Sequence, residues 1–414
     1  MLKALKIRLY PNVVQATQIN KLLGCYRFVY NKCLDKKISS YKTDNTSENL
    51  TTLGHYFHNE LTKCEEYSWL NEQNTKVLKQ SIRDMLDAYS HFFKEKKGFP
   101  KFKSKHSNKL SCRFPLEAIS KRNNYSTYKI SLANIHNIRF KCSDKYVNYL
   151  VKYKDGIRSA TLSKTCTDEY YLSILVNGDF RKKLKYTNNS VGIDLGIKEF
   201  IVTSDGECFD NLHFKKAEND KLKRLQRQLS KKQKDSRNRD KARLKLAKLN
   251  KKIRNRKLNY LHEITNQLLD ENQIIALEDL NVKGMMKNHK LADSIGELNF
   301  GEFRRILTYK SVWYGRDLVF VDRFYPSSKT CNHCGYINKA LKLQDRQWKC
   351  PQCGKIIERD YNAALNILEE GIRIIGSRTP KFTLVENPTM DDKVVIPLKS
   401  SDSLKQEIDA CRFL

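Results

Sequence analysis

The sequence predicts a multidomain α+β protein, and three features of the chain support that prediction. Apolar residues recur at helical spacing through much of residues 11–97, and short alternating segments separated by turn residues follow in residues 110–180. Apolar strands, amphipathic helices and two Cys-x-x-Cys pairs then share the C-terminal half. A chain of 414 residues has room for two or three domains, each with its own core.

The composition points to a polyanionic partner. A formal net charge of +32 favours nucleic acid, with binding that weakens steeply as salt rises. An anionic membrane surface is the rival, but no apolar run approaches the ~20 residues that span a bilayer. The N-terminal segment MLKALKIRLYPN lacks the apolar core and cleavage site of a secretory signal. We therefore expect a cytoplasmic, bacterial-type protein that associates with the nucleoid and not with a membrane.

The N-terminal half divides into helices and short strands. Residues 1–10 alternate apolar and basic side chains and predict a strand. Helices are expected at about residues 15–37 and 74–97, the second with Phe93 on its apolar face, and a shorter helix at about residues 53–64. The alternating segments that follow are typical of a small antiparallel barrel or sandwich, which the first strand is expected to join.

Two basic segments are candidate nucleic-acid contacts. The segment KKGFPKFKSKHSNK supplies Lys101 and Lys103, and its Phe99 and Phe102 permit base stacking, although aromatic side chains that anchor a loop give the same pattern. Residues 215–257 hold twenty Lys and Arg against four acids and predict a helical hairpin. Its candidate contacts are Lys223, Arg224, Arg227 and Lys231. A solvated helix face is the alternative, but charge of this density is better accommodated beside phosphate.

Three acids stand at positions that suit a metal site. Asp194 is expected near the middle of the first strand of a hairpin, Glu278 ends the apolar strand QIIALEDL, and Asp360 lies in the first turn of an amphipathic helix. Carboxylates are the ligands that Mg²⁺ prefers, and two such ions about 4 Å apart would support phosphodiester cleavage. The alternative is that each acid serves only a turn, a strand end or a helix cap.

Two further features lie near these acids. The polar segment of residues 281–303 predicts a loop or lid, in which His289 is a candidate catalytic helper or an ordinary surface histidine. Four cysteines form two Cys-x-x-Cys pairs with fifteen residues between the pairs, which is the spacing of a structural zinc ribbon: Cys331, Cys334, Cys350 and Cys353. Disulfides and free thiols are the alternatives, and a reducing compartment disfavours the former.

Several segments resemble the TnpB family of RNA-guided DNA nucleases, which insertion-sequence transposons encode and which are regarded as ancestors of type V CRISPR effectors. The segments are GIDLGIKEF, IIALEDLNVKGM, FYPSSKTCNHCG and RDYNAALNI. The resemblance covers about residues 1–370. It implies an RNase H-like (RuvC) nuclease domain with an inserted zinc ribbon, a helical recognition lobe and a small antiparallel β-barrel wedge domain that holds an RNA scaffold.

The resemblance also implies roles for individual residues. Asp194, Glu278 and Asp360 would be catalytic and bind two Mg²⁺, and one structural Zn²⁺ would bind the four cysteines. The recognition lobe would contact a short DNA motif beside the target. The candidate surface is the face of the third helix with Lys76, Lys79, Gln80 and Arg83, whose long side chains can bond bases and phosphates, and a solvated helix face is the alternative. The zinc ribbon would handle target nucleic acid, with four candidate phosphate contacts: Ser327, Ser328, Lys329 and Arg346. The implied partners are guide RNA and target DNA, bound by one protein chain in a ribonucleoprotein.

The domain boundaries follow from the same resemblance. They are residues 1–10 for the first wedge strand, 11–97 for the recognition domain, 98–187 for the wedge barrel, 188–326 for the first two acidic motifs of the nuclease domain with the basic hairpin and the lid, 327–356 for the zinc ribbon, 357–375 for the third acidic motif and 376–414 for a tail. The tail shows little periodicity and is expected to be flexible and dispensable for cleavage.

Two alternatives stay open at this point. The same nuclease and zinc motifs occur in compact type V CRISPR effectors, so the origin of the guide RNA is undecided. A zinc-ribbon protein that binds nucleic acid and regulates transposition without catalysis is the other alternative, and it predicts that Asp194 is dispensable for every activity.

Overall fold

The computed structural model describes residues 1–107, 109–181, 183–288, 292–342 and 344–378. Two of the predictions lie outside these ranges: the role of His289, and all but the first three residues of the predicted tail. None of the helices in the described part of the chain combines the length and the apolar character that crossing a membrane requires.

The N-terminal half is a six-stranded antiparallel sheet packed against helices in one apolar core. Its elements are β1 (Leu2–Tyr10), α1 (Val13–Asp44), α2 (Leu50–His55), α3 (Thr75–Glu95), β2 (Lys109–Pro115), β3 (Lys129–Leu132), β4 (Ile135–Lys141), α4 (Asp144–Lys152), β5 (Ile157–Thr165) and β6 (Tyr170–Asn177). The strand order is β2-β5-β6-β1-β4-β3. Strand β1 pairs with both β4 and β6, which confirms that the first strand joins the later ones.

The two edges of this sheet are linked by the chain that leaves β2. Ala133 donates its backbone N–H to the Ala118 carbonyl at 2.7 Å, and Ile119 forms an antiparallel bridge with Leu132 in β3. The Asn123 side chain accepts from the Ser131 N–H at 2.8 Å and donates to the Ser131 carbonyl at 3.1 Å. These bonds satisfy edge groups that would otherwise be open to another strand.

The helices follow the predicted pattern with three differences. Helix α1 begins after Asn12, which exchanges capping hydrogen bonds with Gln15 at 2.8 and 2.9 Å. It ends at Asp44, seven residues later than predicted, and Ile38 in this extension packs against the core. The predicted short helix is α2 followed by a π-helical turn, Tyr56–Leu61. Phe93 was expected on the apolar face of α3, but its side chain is 72% exposed.

The C-terminal half is built on a mixed five-stranded sheet. Its elements are β7 (Ser190–Asp194), β8 (Glu199–Thr203), β9 (Cys208–Asp210), α5 (Phe214–Ala217), α6 (Asn219–Ser230), α7 (Arg237–Glu271), β10 (Ile274–Glu278), α8 (Val282–Met285), α9 (Ala292–Leu298), α10 (Phe300–Tyr314), β11 (Asp317–Val321), β12 (Gln347–Lys349), β13 (Ile356–Glu358) and α11 (Arg359–Arg378). The strand order is β11-β10-β7-β8-β9. Strand β10 runs parallel to β7 and β11, and β7, β8 and β9 are antiparallel.

Helices α6 and α7 form the predicted basic hairpin. Its apolar seam contains Leu222 of α6 and Leu249 and Ile253 of α7. The second half of α7 buries Leu261 and Ile264 in the core of the mixed sheet. The predicted lid is wrong in its local structure, because the described parts of this segment form the short helices α8 and α9 and the start of α10, not an irregular loop.

Two glycines allow α11 to lie directly on the mixed sheet. A Cβ atom on Gly192 of β7 would come within 2.7 Å of the Leu368 nitrogen in α11. A Cβ atom on Gly371 of α11 would overlap the Ala276 side chain in β10. Gly192 and Ala276 are paired across the two central strands, so the smallest residues of the sheet form the seat of this helix.

This packing predicts opposite effects for one substitution at two positions of α11. We expect Gly371→Ala to destabilise the protein by about 1–3 kcal/mol, because the added methyl group overpacks the interface with Ala276. Gly376→Ala is the matched control, since a Cβ there meets no atom within 4 Å and the better helix former should add about 0.5–1 kcal/mol. Urea unfolding of the two variants measures both changes, and equal effects would contradict the close contact.

Candidate functional site

The three predicted acids meet at one edge of the mixed sheet. Asp194 and Glu278 are the last residues of β7 and β10, and the parallel register pairs Leu277 with Ile193, so the two acids come next to each other. Asp360 lies in the first turn of α11, which rests on the same two strands. The expected place of Asp194 near the middle of its strand is wrong, because the turn with Gly196 begins directly after it.

The electrostatics of this edge show an excess of negative charge. Burial, and then the charges of Asp360 and Glu278, raise the pKa of Asp194 to about 7. Burial, and then the charges of Asp279 and Asp322, raise the pKa of Glu278 to about 7. Buried carboxyl groups that repel one another hold protons unless a cation neutralises them. The donor set is all oxygen and anionic, and it fits a hard divalent cation such as Mg²⁺.

Asp360 is already bound by a cation of the chain itself. Arg346 donates from Nη1 to Asp360 Oδ2 at 2.7 Å. Arg346 was predicted to contact phosphate, and the structure brings its guanidinium group to the acid cluster. The carboxyl oxygens of the three acids do not all lie within 4.8 Å of one another. Among groups of three or more described His, Cys, Asp and Glu residues, only the four cysteines have all their ligand atoms within that distance.

A second group of charged residues borders the acids and was not predicted. Arg304 of α10 donates to Asp279 Oδ1, and Arg323 donates to Asp279 Oδ2 at 2.6 Å. Burial by itself would raise the pKa of Asp279, but the two hydrogen bonds from the arginines lower it below its ordinary value. Asp279 therefore stays ionised beside Glu278. The two arginines lie in ordinary helix and loop segments, so no local signal in the sequence relates them to Asp279.

The four cysteines form the second candidate metal site. Their ligand atoms all lie within 4.8 Å of one another, and the Sγ atoms of Cys331 and Cys353, and of Cys334 and Cys350, are 3.7 and 3.5 Å apart. A tetrahedral Zn²⁺ with Zn–S bonds of about 2.3 Å places its sulfur atoms roughly 3.8 Å apart, so the thiols fit this ion.

The two cysteine turns are built alike. The residue after each second cysteine is a glycine in the left-handed region, Gly335 with φ +75° and Gly354 with φ +72°. Gly335 donates its N–H to the Cys331 carbonyl at 2.8 Å, and Gly354 donates to the Cys350 carbonyl at 2.9 Å. An L side chain is strained at this φ, which explains glycine at both positions.

The cysteine unit is fastened to the helix that carries Asp360. Asn362 of α11 accepts from the Asn332 N–H at 2.9 Å and donates to the Thr330 carbonyl at 2.7 Å. Asn366, one turn later, donates to the carbonyls of Ser327 and Thr330, both at 2.7 Å. These asparagines were not singled out in the sequence, where they appear only as polar residues within RDYNAALNI.

The predicted nucleic-acid contacts separate into exposed and buried residues. Those exposed to solvent are Lys76, Lys79, Arg83, Lys101, Lys223, Arg224, Arg227, Lys231 and Lys329. Ser328 is half-buried. Lys79 and Arg83 line an open groove with His55 and His58 of the α2 region. The basic residues of α6 line a second open groove with Asp220 and Gln228.

Two of the predicted contacts, Gln80 and Ser327, are wrong as surface residues, and Lys103 is half-buried. Gln80 is 7% exposed, and its amide oxygen can accept from Arg113 Nε and Nη2 at 2.9 and 2.7 Å. Ser327 is 5% exposed beneath Asn366. Lys103 lies with its Nζ 3.7 Å from the centre of the Tyr30 ring, and burial lowers its pKa. In each case the residue contacts a partner that is distant in the sequence, through its side chain in Gln80 and Lys103 and through its backbone carbonyl in Ser327.

Three family models match separate parts of this chain. The model described as "Probable transposase" matches residues 172–289, which include Asp194 and Glu278. The model of a "Cas12f1-like, TNB domain" matches residues 300–367, which include the four cysteines and Asp360. A "Helix-turn-helix domain" model matches residues 1–46.

Comparison of whole chains agrees with these matches. The chain is 32% identical over 372 residues to a "Putative RNA-guided DNA endonuclease" of Streptomyces pristinaespiralis, with 89% of each chain covered. It is 28% identical to the Escherichia coli protein of the same name with the suffix InsQ, covering 91% of this chain and 94% of that one. Among solved structures, a Cas12f1–sgRNA–target DNA complex shares the fold, with a TM-score of 0.53, 15% identity and coverage of 89% and 98%.

The raised pKa of Asp194 predicts a stability that falls with rising pH. The pKa of Asp194 is about 7 in the folded chain and near 3.8 in the unfolded chain. Its contribution to the free energy of unfolding is therefore complete below pH 4 and is lost as the pH rises to about 7. Asp194→Asn removes the titration, so at pH 8 without added divalent cations it should be more stable than the native chain. The difference should be about 2–4 kcal/mol and should vanish near pH 4.

Asp279→Asn provides the contrast for this experiment. The pKa of Asp279 is lowered, so its contribution is present above its unfolded pKa and lost as pH falls through the folded value. This variant should therefore be less stable than the native chain at pH 8. Urea unfolding at pH 4.5, 6 and 8 measures both variants, and destabilisation by Asp194→Asn at pH 8 would refute the buried, repelled state of that carboxyl group.

Proposed function

Because the chain belongs to the TnpB family, and two of its relatives bear the name "Putative RNA-guided DNA endonuclease", we propose that it is a transposon-encoded nuclease that uses a guide RNA to select its DNA target. The observation that carries the proposal is the convergence of Asp194, Glu278 and Asp360 at one sheet edge. A protein that only binds nucleic acid has no use for three mutually repelling carboxyl groups, which cost stability when no cation is bound.

We propose an RNase H-like nuclease domain for the mixed sheet. Three antiparallel strands followed by two parallel ones, in the order β11-β10-β7-β8-β9, support that fold, with α11 across the central pair. The linked edges of the six-stranded sheet support the β-barrel wedge domain, and α1 to α3 the recognition lobe. We propose the same domain boundaries that the sequence suggested. We also propose that the ribonucleoprotein lies in the cytoplasm beside the nucleoid.

We propose that Asp194, Glu278 and Asp360 hold two Mg²⁺ ions. When bound, the ions supply the Lewis acidity that stabilises the attacking and leaving oxygens of a phosphodiester displacement. The chain contributes the geometry around them. Asp194 and Glu278 would lose their protons as ligands, and the hydrogen bonds from Arg304 and Arg323 hold the Asp279 carboxylate beside Glu278.

Arg346 gives the acid cluster a mobile positive charge. Its side chain is half exposed and pairs with Asp360, so it neutralises this carboxylate when no ion is present. With a cation on Asp360, the guanidinium group would be available to donate to a phosphate oxygen of a bound strand. The zinc ribbon that carries Arg346 would thereby bring target DNA and the acids together, with Lys329 as an exposed contact beside it.

We assign the remaining basic surfaces to RNA and to the DNA beside the target. Helix α6 presents four exposed cations in one groove, which suits the phosphate backbone of a guide RNA or of its duplex with DNA. Lys76, Lys79 and Arg83 lie on the exposed face of α3 beside two histidines, which suits contacts to the adjacent DNA motif. We propose that one protein chain forms the ribonucleoprotein.

The experiment that tests the proposal begins with the RNA. The chain is expressed with the DNA that flanks its gene, purified, and the bound RNA is sequenced. A discrete RNA that runs from the end of the gene into its flank supports the transposon-encoded nuclease, whereas repeat-derived RNA would make it a CRISPR effector. Random cellular RNA would favour a binding protein without guided cleavage.

Cleavage is then measured with that RNA and a matching DNA duplex. We expect Asp194→Ala to lower the cleavage rate by at least about a thousandfold, because it removes a metal ligand from the reaction centre. RNA affinity should not change. Asp210→Ala is the matched control, since this acid is exposed on the far edge strand of the same sheet and should leave cleavage intact. Equal loss of RNA binding and cleavage would refute the catalytic role of Asp194.

We also propose that the four cysteines bind one structural Zn²⁺, which leaves no open position for chemistry. Cys350→Ser should abolish stoichiometric zinc and unfold the small unit, whose folding the metal stabilises by roughly 10 kcal/mol. Cys208→Ser is the control, because this exposed cysteine lies outside the cluster. Zinc content by mass spectrometry distinguishes the variants, and unchanged zinc in Cys350→Ser would contradict the proposal.

A further inference from the structure

The end of α3 and the loop after it carry exposed aromatic side chains, two of which, Phe99 and Phe102, the sequence offered either for base stacking or as loop anchors. Phe93, Phe99 and Phe102 are 72%, 47% and 55% exposed. Large apolar side chains grouped at a surface mark a binding site more often than isolated ones do. These residues also lie outside the three ranges that the family models match.

Four aromatic rings in this region form one continuous cluster, which we call the aromatic patch: Tyr89, Phe92, Phe93 and Phe99. Phe93 lies 6.4 Å from Tyr89 and 5.0 Å from Phe92, measured between ring centres. Phe99 lies 5.4 Å from each of the same two rings, edge to face. Tyr89 is buried and Phe92 half-buried, so they form a floor that supports two exposed rings.

The loop that presents Phe99 is held in place before any ligand binds. Asn31 of α1 accepts from the Lys103 N–H at 2.8 Å and donates to the Lys103 carbonyl at 3.0 Å. The Lys103 side chain lies on Tyr30, and Pro100 is buried. Binding to a surface that is already ordered avoids the entropy cost of fixing a loop.

The charge around the aromatic patch selects the kind of partner. Exposed lysines surround it: Lys94, Lys96, Lys97, Lys101 and Lys105. The nearest acid, Glu95, is paired with Lys97 at 2.7 Å and His91 at 2.6 Å. A ligand that suits exposed rings among lysines offers flat apolar faces and negative charge, and unpaired nucleotides offer both. A blunt duplex keeps its bases stacked inside and offers few such faces.

We propose that the aromatic patch binds an unpaired segment of nucleic acid, with one base stacked on Phe93 or Phe99 and its phosphates on the neighbouring lysines. The inference rests on the proposed function, because the guide RNA and the opened target DNA are the two sources of unpaired nucleotides. Stacking on a ring does not select a base, so the patch is expected to hold a strand without reading its sequence.

The test uses the purified full chain and three fluorescent probes: a 15-nucleotide dT strand, a 15-nucleotide rU strand and a 15-base-pair blunt duplex. Binding is measured at 0.3 M salt, where the contribution of the other basic surfaces is reduced. Phe93→Ala should weaken binding of both single strands about tenfold and leave the duplex unchanged. Phe93→Trp should retain single-strand binding, because it keeps a stacking surface. Tyr186→Ala removes a ring that is 74% exposed elsewhere and should change nothing.

Photocrosslinking of the ribonucleoprotein identifies the source of the strand. Iodouridine is incorporated either in the guide RNA or in one strand of the target, and the crosslinked peptide is identified by mass spectrometry. A crosslink at Phe93 or Phe99 from either source supports the proposal. Crosslinks only to other peptides, unchanged single-strand binding in Phe93→Ala, or a Phe93-dependent dimer in sedimentation would overturn it.

The same samples separate this inference from the proposed function. If the native chain cleaves guided DNA and Phe93→Ala binds single strands normally, the aromatic patch has been interpreted wrongly and the nuclease stands. If the native chain never cleaves but Phe93→Ala loses single-strand binding, the patch stands and the nuclease proposal fails.

Discussion

The contact between α11 and the two central strands of the mixed sheet is the constraint on which the acid cluster depends. Gly192 and Gly371 have no side chains at the closest points of this contact, and Ala276 lies opposite both. This lets the helix lie low enough for Asp360 in its first turn to reach the strand ends that carry Asp194 and Glu278. Burial, and then the charges of Asp360 and Glu278, raise the pKa of Asp194 to about 7, so the arrangement brings repelling charges together. The packing of α11 on the sheet therefore offsets the free-energy cost of holding these carboxyl groups close together.

The cysteine unit and the acid cluster are parts of one mechanical assembly. Asn362 and Asn366 of α11 bond to the chain at the first cysteine turn, while Arg346 reaches from the same unit to Asp360. The surfaces of α11 therefore serve different purposes, since one side rests on the sheet, another holds the cysteine unit, and the first turn presents the acid.

Sequence patterns located residues whose environment is set locally and failed for residues whose environment is set by distant segments. The acids follow or begin regular elements, and the four cysteines with their glycines define two turns by spacing alone. By contrast, Gln80 and Ser327 are polar and look exposed in the sequence, yet each is buried by a segment distant in the chain, and Lys103 is half-buried against Tyr30. The prediction for Phe93 failed in the opposite direction. Phe93 continues the apolar helical pattern, but the last buried residue of α3 is Tyr89, so Phe93 lies beyond the core. The roles of Arg304 and Arg323 depend on the tertiary fold, which places Asp279 within hydrogen-bond distance of both.

The position of Asp360 in chain order has a consequence for the protein during its synthesis. Translation proceeds from the N-terminus, so the basic hairpin and the surfaces of the six-stranded sheet emerge from the ribosome before α11 does. A chain interrupted before residue 360 contains most of the positive charge and two of the three acids, but neither the third acid nor the helix that covers β7. Fragments from premature termination or proteolysis are thus expected to hold nucleic acid without a complete acid cluster.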